Sequence, residues 1–290
     1  MERRQFLSLL AAGVATAGLG VAAAEFGPRV FGENGWLSGT GGAVPETFNG
    51  LTMHQIAMNA ELSAPPEASD FPPPVFFEPQ LSKVKVPGGT ISTIKGNKGM
   101  LALTVDDGVS SVVVREYANF AKRTGMRLTF FVTGRYPAWT DNAALLRPLV
   151  DSGQIQLANH TWTHPTLTKL SDAQVASELA LTHDFLRNMY GVDAHPYFRP
   201  PYGTHDGRVD KIAAGIGYST PVLWDGSLSD SGLITTDQVK QFATKYLTAE
   251  RIVIGHANFT PVTECFDYIR DLIKSRNITP VTLNDIYLKA

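Results

Sequence analysis

From Met100 onward, short apolar runs of strand length alternate with amphipathic stretches of helix length, and this alternation restricts the fold more than any other feature of the chain. Residues 101–105 read as a strand, 112–124 as a helix closed by Gly125, and 128–132 as a second strand. Residues 143–150 form a candidate helix that Pro148 is expected to break or kink, ahead of a strand at 155–158. The helix 172–190 is the best signposted. Ser171 and Gln174 have capping-box spacing, Val175, Leu179, Leu186 and Met189 fall on or near one face, and Gly191 supplies the stop. Further strands are expected at 219–223, 251–254 and 280–283, with helices at 237–246 and 263–276. Parallel strands need long crossovers, which helices provide, so the pattern implies an α/β fold with a parallel sheet or barrel. In either form, reactive residues belong where strands end and loops begin.

The 290 residues, 43% of them hydrophobic, suffice for one large core with appendages rather than two equal domains. The 25 basic and 27 acidic residues nearly cancel and no long Lys/Arg run occurs, so no nucleic-acid partner is expected. Cys265 is the sole cysteine, which excludes an internal disulfide and a cysteine-based zinc site. Any metal must therefore sit on histidine and carboxylate. Residues 1–24 read as an export signal: Arg3-Arg4-Gln5-Phe6-Leu7 is a twin-arginine pattern, followed by an uncharged Ala/Gly-rich run ending in Ala22-Ala23-Ala24, a small-residue cleavage site. The expectation is a bacterial chain passed to the twin-arginine export machinery and destined for the extracellular space, cell wall or periplasm. That run is too weakly hydrophobic for a stable membrane span in the mature chain, with retention as an uncleaved anchor as the alternative. Residues 25–95, with Pro65-Pro66 and Pro72-Pro73-Pro74, read as a linker or N-terminal arm, of which Val75-Phe76-Phe77 is apolar enough to lie against the main domain, 96–290.

Chemistry-bearing residues gather at the predicted strand ends. Thr104-Val105-Asp106-Asp107-Gly108 puts two adjacent carboxylates where the first strand closes; an ordinary Asp-Gly turn is the alternative. His160-Thr161-Trp162-Thr163-His164 follows the strand at 155–158. Its two imidazoles can face one cation if the segment makes a helical turn, or they are simply two hydrogen-bonded histidines. With one aspartate the pair gives a two-histidine, one-carboxylate set that leaves positions open for water and substrate. Phe198-Arg199-Pro200-Pro201-Tyr202-Gly203 offers a guanidinium in a stiff segment that can orient a carboxylate or make a surface salt bridge. Ile254-Gly255-His256 places a histidine directly after a strand, either structural or a general acid.

Taken jointly, the segments Thr104 to Gly108, His160 to His164, Arg199 to Tyr202, Trp224 to Asp230 and Ile254 to His256 resemble, in order and separation, the five motifs of polysaccharide deacetylases (NodB-like, carbohydrate esterase family 4). The resemblance covers about residues 95–290, including Thr129-Phe130-Phe131-Val132-Thr133-Gly134, and none of the arm. It implies a distorted (β/α) barrel of about seven strands. It further implies that Asp106 is the general base and that Asp107, His160 and His164 are ligands of a divalent metal, zinc by default with cobalt, nickel or manganese as alternatives. Arg199 would tether Asp106, and the backbone N–H near Tyr202 would bind the oxyanion. Trp224 and Ile254 would line the substrate side, and His256 would be the general acid.

The fourth motif departs from the family's pattern. Ser227 and Ser231 stand where an aspartate and a tryptophan are usual, while Asp230 remains as a partner for His256, with Asp225 as its rival. A tryptophan there would wall a sugar-binding groove, so its loss points away from the usual polymer-binding mode and toward a smaller or differently shaped glycan. Val109 replaces a common proline, and Ile254 a leucine. His54, His183 and His195 read as ordinary arm, exposed helix and loop residues, and Cys265 as a packed small residue. His205, three residues after Tyr202, is close enough in sequence to line the cleft, with an ordinary solvated loop histidine as the alternative. The leading expectation is N-deacetylation of an N-acetylglucosamine-containing glycan such as peptidoglycan or a chitin-like polymer. O-acetyl ester hydrolysis on xylan or another sugar and a non-catalytic glycan-binding module are the other classes.

Overall fold

The computed structural model describes Thr47–Phe48, Leu51–Thr52, Phe76 and residues 78–288; the twin-arginine segment and most of the 25–95 arm lie outside the described residues. The chain divides into units 1–55 and 56–290. In the first, Thr47–Phe48 runs antiparallel to Leu51–Thr52. In the second, Phe76 is buried and donates its N–H to Thr124 O at 2.8 Å. Among the described residues no helix is long and apolar enough to cross a membrane.

The second unit is built on a curled parallel sheet. Its strands, in chain order, are β1 (Met100–Asp107), β2 (Leu128–Val132), β3 (Ile155–Asn159), β4 (Tyr197–Phe198), β5 (Thr220–Pro221), β6 (Gly226–Ser227), β7 (Ile252–His256) and β8 (Thr279–Pro280). Seven lie in the order β5-β4-β3-β2-β1-β7-β6, all parallel, and β8 pairs with Met100 and Leu101 at the start of β1. Ile91 bridges Val222 beyond β5, and Thr93 bridges Arg251 before β7. The segment 91–94 thus links the two flanks of the sheet and helps it curl. This is the distorted α/β barrel that the family resemblance implies. Ala102, Phe131, Ala158, Tyr197, Val222 and Ile252 fill its interior with Ile91 and Ile94. Above Ala102, the period-2 alternation of a strand sets Thr104 and then Asp106 on that same inner face.

Among the helices are α1 (Ser111–Thr124), α2 (Ala143–Asp151), α3 (Asp172–Tyr190), α4 (Gly207–Gly215), α5 (Thr236–Tyr246), α6 (Phe266–Ser275) and α7 (Leu283–Ile286). Both halves of the Ser171/Gln174 capping box form, and Gly125 and Gly191 close α1 and α3 in the left-handed conformation. Several expectations are corrected. Helix α2 runs through Pro148, because burial of Leu146 and Leu149 on its inner side offsets one lost hydrogen bond. The strand expected at 219–223 shrinks to Thr220–Pro221, since Pro221 has no N–H for the ladder. The run at 280–283 is not one strand: Thr282 caps α7 through a box with Asp285. The helix expected at 263–276 begins as a 3-10 turn, Thr260–Cys265, and becomes α-helical only at Phe266. Helix α4 and strands β4 and β6 went unforeseen, being short and weakly periodic.

Buried Arg127 fastens α7 beneath β2, with Nε and Nη2 donating to Asp285 at 2.6 and 2.7 Å and Nη2 also reaching Gly153 O at 2.7 Å. Removing one member of such a pair strands the other. Arg127→Ala should lower unfolding free energy by about 3 kcal/mol in urea denaturation, with Arg127→Lys restoring only part because it lacks the forked geometry. A change indistinguishable from zero would mean the bridge is effectively solvated.

Candidate active site

Two adjacent carboxylates in a regular strand would point to opposite faces. Here Asp107 leaves the extended region (φ 74°) and Gly108 follows at φ 90°, turning both acids toward His160 Nε2: Asp106 Oδ2 lies 3.5 Å from it and Asp107 Oδ1 3.4 Å. The turn is locked from behind. Trp139 Nε1 and Thr133 N donate to Asp107 O at 3.1 and 3.2 Å, and a Cβ on residue 108 would stand 2.4 Å from the Trp139 ring. Only glycine fits there.

His160 follows β3 and is held twice, by its N–H to Val132 O at 3.0 Å and by Nδ1 against Arg199 O at 2.7 Å. A carbonyl can only accept, so Nδ1 carries a proton and Nε2 is the nitrogen that faces the carboxylates. The 160–164 segment is not the helical turn envisaged from its spacing. Thr161 and His164 both have left-handed φ, 70° and 62°, so the chain loops back and brings His164 Nε2 within 3.2 Å of Asp107 Oδ1. Asn159 Oδ1 accepts the Thr161 N–H at 2.9 Å, and Thr161 Oγ1 accepts that of His164 at 3.1 Å. Glu178 of α3 accepts the Trp162 and Thr163 N–H groups, a role no sequence motif announces.

Arg199 is fully buried inside the barrel, with its guanidinium 4.0 Å from the Phe131 ring centroid and 5.5 Å from that of Trp224. Nη1 donates to Asp106 Oδ1 at 2.5 Å and Thr104 Oγ1 at 2.9 Å, and Nε to Val222 O at 3.0 Å. One Asp106 oxygen is thereby held while the other faces the cluster. His256 ends β7 directly beside Asp106 in register. The structure resolves the rivalry over its partner: His256 Nδ1 lies 3.0 Å from Asp230 Oδ1, whereas Asp225 pairs with Arg251. A Cβ on Gly255 would crowd Leu228 and Tyr117 at 3.1 and 3.2 Å while only touching Asp230 Oδ2 at 3.5 Å. Ser227 is buried and accepts the Ser229 N–H at 2.8 Å, shaping the turn that delivers Asp230. Ser231 is half-buried and borders the same turn.

Tyr202 is exposed, left-handed (φ 60°), and its ring meets His164 at 4.7 Å; Trp224 lies beneath Gly203, and Ile254 is buried in β7. His205 binds Asp210 at 2.7 Å. His183 is half-buried, not exposed, bonding Tyr218 OH at 2.9 Å and stacking on His195.

Three donor residues, Asp107, His160 and His164, place ligand atoms within 4.8 Å of one another. Asp107 Oδ1 is buried with no hydrogen-bond partner, while its Oδ2 accepts from Asn258 Nδ2 at 2.7 Å. A buried oxygen left unpartnered between two imidazoles fits a cation. Burial opposes ionisation of Asp107, yet the close approach and charge of His160 hold its carboxyl well below the usual range. Burial and neighbouring His160 depress His164 to about 4, leaving it neutral and able to ligate near pH 7. Burial works to lower His256 too, but Asp230 outweighs it and lifts the imidazole to about 9. Asn258 is a further residue that sequence reasoning missed; its position two residues after His256 was the only signal.

An α/β barrel that gathers a two-histidine, one-aspartate cluster, a buried Arg–Asp pair and an Asp–His pair at its strand ends defines a hydrolase-like class of site. The chain carries a domain of the polysaccharide deacetylase family, whose profile matches residues 93–221. It is 34% identical over 158 residues to chitin deacetylase 3 of Cryptococcus neoformans, covering 53% of this chain and 37% of that protein. It is 30% identical over 211 residues to the peptidoglycan-N-acetylglucosamine deacetylase PgdA of Listeria monocytogenes, covering 71% of this chain and 42% of that one. The chain thus spans less than half the length of these relatives. The structure of the chitin deacetylase from Colletotrichum lindemuthianum superposes with a TM-score of 0.62 at 25% identity, covering 71% of this chain and 94% of that one.

Because Asp230 supplies the upward pull on His256, Asp230→Asn should lower the titration midpoint of that imidazole from about 9 by roughly 1–3 units. Histidine NMR across pH 5–10 reads this directly, and an unmoved midpoint would reassign the cause of the shift.

Proposed function

We propose that the domain is a metal-dependent hydrolase that removes N-acetyl groups from N-acetylglucosamine-containing glycans and releases acetate. The observation that carries this reading is the pairing of two separately tuned proton-handling groups, Asp106 held by Arg199 and His256 held by Asp230, beside one metal-type donor cluster. A binding module needs neither pair. Asp107, His160 and His164 would hold the divalent ion, zinc by donor type with cobalt, nickel or manganese also compatible, which when bound polarises an acyl carbonyl and acidifies water.

The remaining steps belong to the protein. Asp106 takes the proton of the attacking water as the new carbon–oxygen bond forms, its other oxygen fixed by Arg199. The tetrahedral oxyanion receives the backbone N–H near Tyr202, presented by the left-handed turn there. His256 gives its proton to the amine nitrogen as the carbon–nitrogen bond breaks, and Asp230 stabilises the imidazolium beforehand. Trp224 and Ile254 bound the substrate side. The chain's resemblance to chitin and peptidoglycan deacetylases supports an amino-sugar polymer as substrate. The paired arginines Arg3-Arg4 support export through the twin-arginine machinery, where an acetylated envelope glycan would be within reach.

The test is acetate release from chitooligosaccharides, peptidoglycan and acetylated xylan, with and without added zinc. Wild-type protein should release acetate from the N-acetylated substrates only when metal is present, and His160→Ala/His164→Ala should not. Preference for xylan would convert the reading to an esterase, and no release from metal-loaded protein would favour a glycan-binding role. Asp106→Asn should retain metal and lose about 10²–10⁴-fold in kcat; near-normal turnover would remove Asp106 as the base. The kcat/KM profile should fall as pH rises through His256's midpoint of about 9, since the acid must be protonated.

A further inference from the structure

We propose that Glu178, a helix residue outside all five motifs, is the positioning residue that holds His164 in its metal-ligating place; the inference rests on the metal-dependent reading above. The two histidines are secured very differently. His160 is fixed by strand register and by Arg199 O, both independent of the loop that follows. His164 sits at the far end of that loop, and among the described residues its ring nitrogens have no partner other than Asp107, beyond the edge contacts of its ring with His160 and Tyr202. Its position is therefore set by the backbone between 161 and 164.

That backbone is held against its own preference. Thr161 is β-branched and left-handed, an unfavourable state for such a residue, and His164 is left-handed as well. The same turn aims two successive amides at one point, and Glu178 occupies it. Its Oε2 accepts the Trp162 N–H at 2.9 Å and the Thr163 N–H at 2.7 Å, while Oε1 accepts the Thr163 hydroxyl at 2.7 Å. A carboxylate receiving three donors is a strong, charge-assisted clamp. Helix α3 is itself tied to the strand end that carries His160, because Asn159 Nδ2 donates to the carbonyl of Leu179, the very next residue, at 2.8 Å. Glu178 and Leu179 thus register the loop to β3 and set the spacing between the two imidazoles. Outer-shell anchors of this kind typically change metal affinity by about 10–100-fold when removed.

The experiment measures Zn²⁺ affinity by competition with a chromogenic chelator for the full protein and for Glu178→Ala, Glu178→Leu, Glu178→Gln, His164→Ala and the Glu178→Ala/His164→Ala double variant. The Co²⁺ absorption spectrum and the thermal midpoint of each metal-free protein accompany it. Glu178→Ala should bind Zn²⁺ about 10–100-fold more weakly, with a Co²⁺ spectrum shifted toward that of His164→Ala. The double variant should bind no more weakly than His164→Ala alone, because the clamp acts through that histidine. Glu178→Gln can keep its amide oxygen on the Trp162 and Thr163 N–H groups and donate from its NH2 to the Thr163 hydroxyl, so it should recover most of the affinity lost in Glu178→Ala; Glu178→Leu, similar in size but without acceptors, serves if Glu178→Ala does not fold. Unchanged affinity in Glu178→Ala or Glu178→Leu, or a double variant that adds the two losses, overturns the inference while leaving the metal reading intact. Failure of the wild-type protein to bind Zn²⁺ overturns that reading and this inference together.

Discussion

The buried ion pair between Arg199 and Asp106 is the constraint around which the site is arranged. A guanidinium with no exposed surface is tolerable only when its donors are matched, and here Asp106, Thr104 and the carbonyls of Val222 and Leu223 match them. Burial pushes the Arg199 pKa down and the Asp106 charge pulls it back, so the pair stands or falls together. The same residue's carbonyl receives His160 Nδ1, which sets that ring's tautomer. One arginine thereby orients an acid through its side chain and a histidine through its backbone. It also explains why small Thr104 stands between Ala102 and Asp106 on β1: a larger apolar residue would leave Nη1 one partner short.

Strain is concentrated at the same end of the barrel. The non-glycine residues with left-handed φ include Asp107, Thr161, His164, Tyr202 and Ser229, all at the site or next to a residue that belongs to it; only Glu250 and Asn277 among the described residues lie elsewhere. Each costs on the order of 1–3 kcal/mol when unsupported. Each of the first three is met by specific bonds, from Trp139 and Thr133 to Asp107 O, from Thr161 to Asn159, and from His164 to Thr161 Oγ1. Regular strands deliver side chains to alternate faces, so a site that needs neighbours to converge must leave the regular conformations.

This division also explains what was legible in the sequence. Strands β2 and β3 and helices α1 and α3 carry long periodic patterns and explicit caps, and their bounds follow from them within a residue or two. The motif residues Asp106, Asp107, His160, His164, Arg199 and His256 meet in space because strand ends converge in any parallel barrel. What stayed hidden depends on tertiary approach rather than local pattern. Glu178 has no distinguishing neighbours in sequence and Asn258 only its place two residues after His256, and the 160–164 loop could be read as a helical turn because spacing alone does not report φ. Two-residue strands such as β4 and β6 exist only because longer neighbours template them.

The three site histidines show how far environment outweighs residue type. His164 and His256 are both largely shielded from water, with 18% and 13% of their side chains exposed, so desolvation disfavours the cation at each. They nevertheless move in opposite directions, to about 4 and about 9. His164 feels, after burial, chiefly the charge of His160, which is itself pulled upward by Asp106 and Asp107 against burial, and this outweighs the pull of Asp107 at 3.2 Å. His256 instead has a dedicated carboxylate, Asp230, on its Nδ1. A neutral imidazole is what a cation requires and a protonated one is what a leaving amine requires. Placing the third carboxylate on the β6–α5 connection, away from the first two on β1, separates these needs within a single cleft.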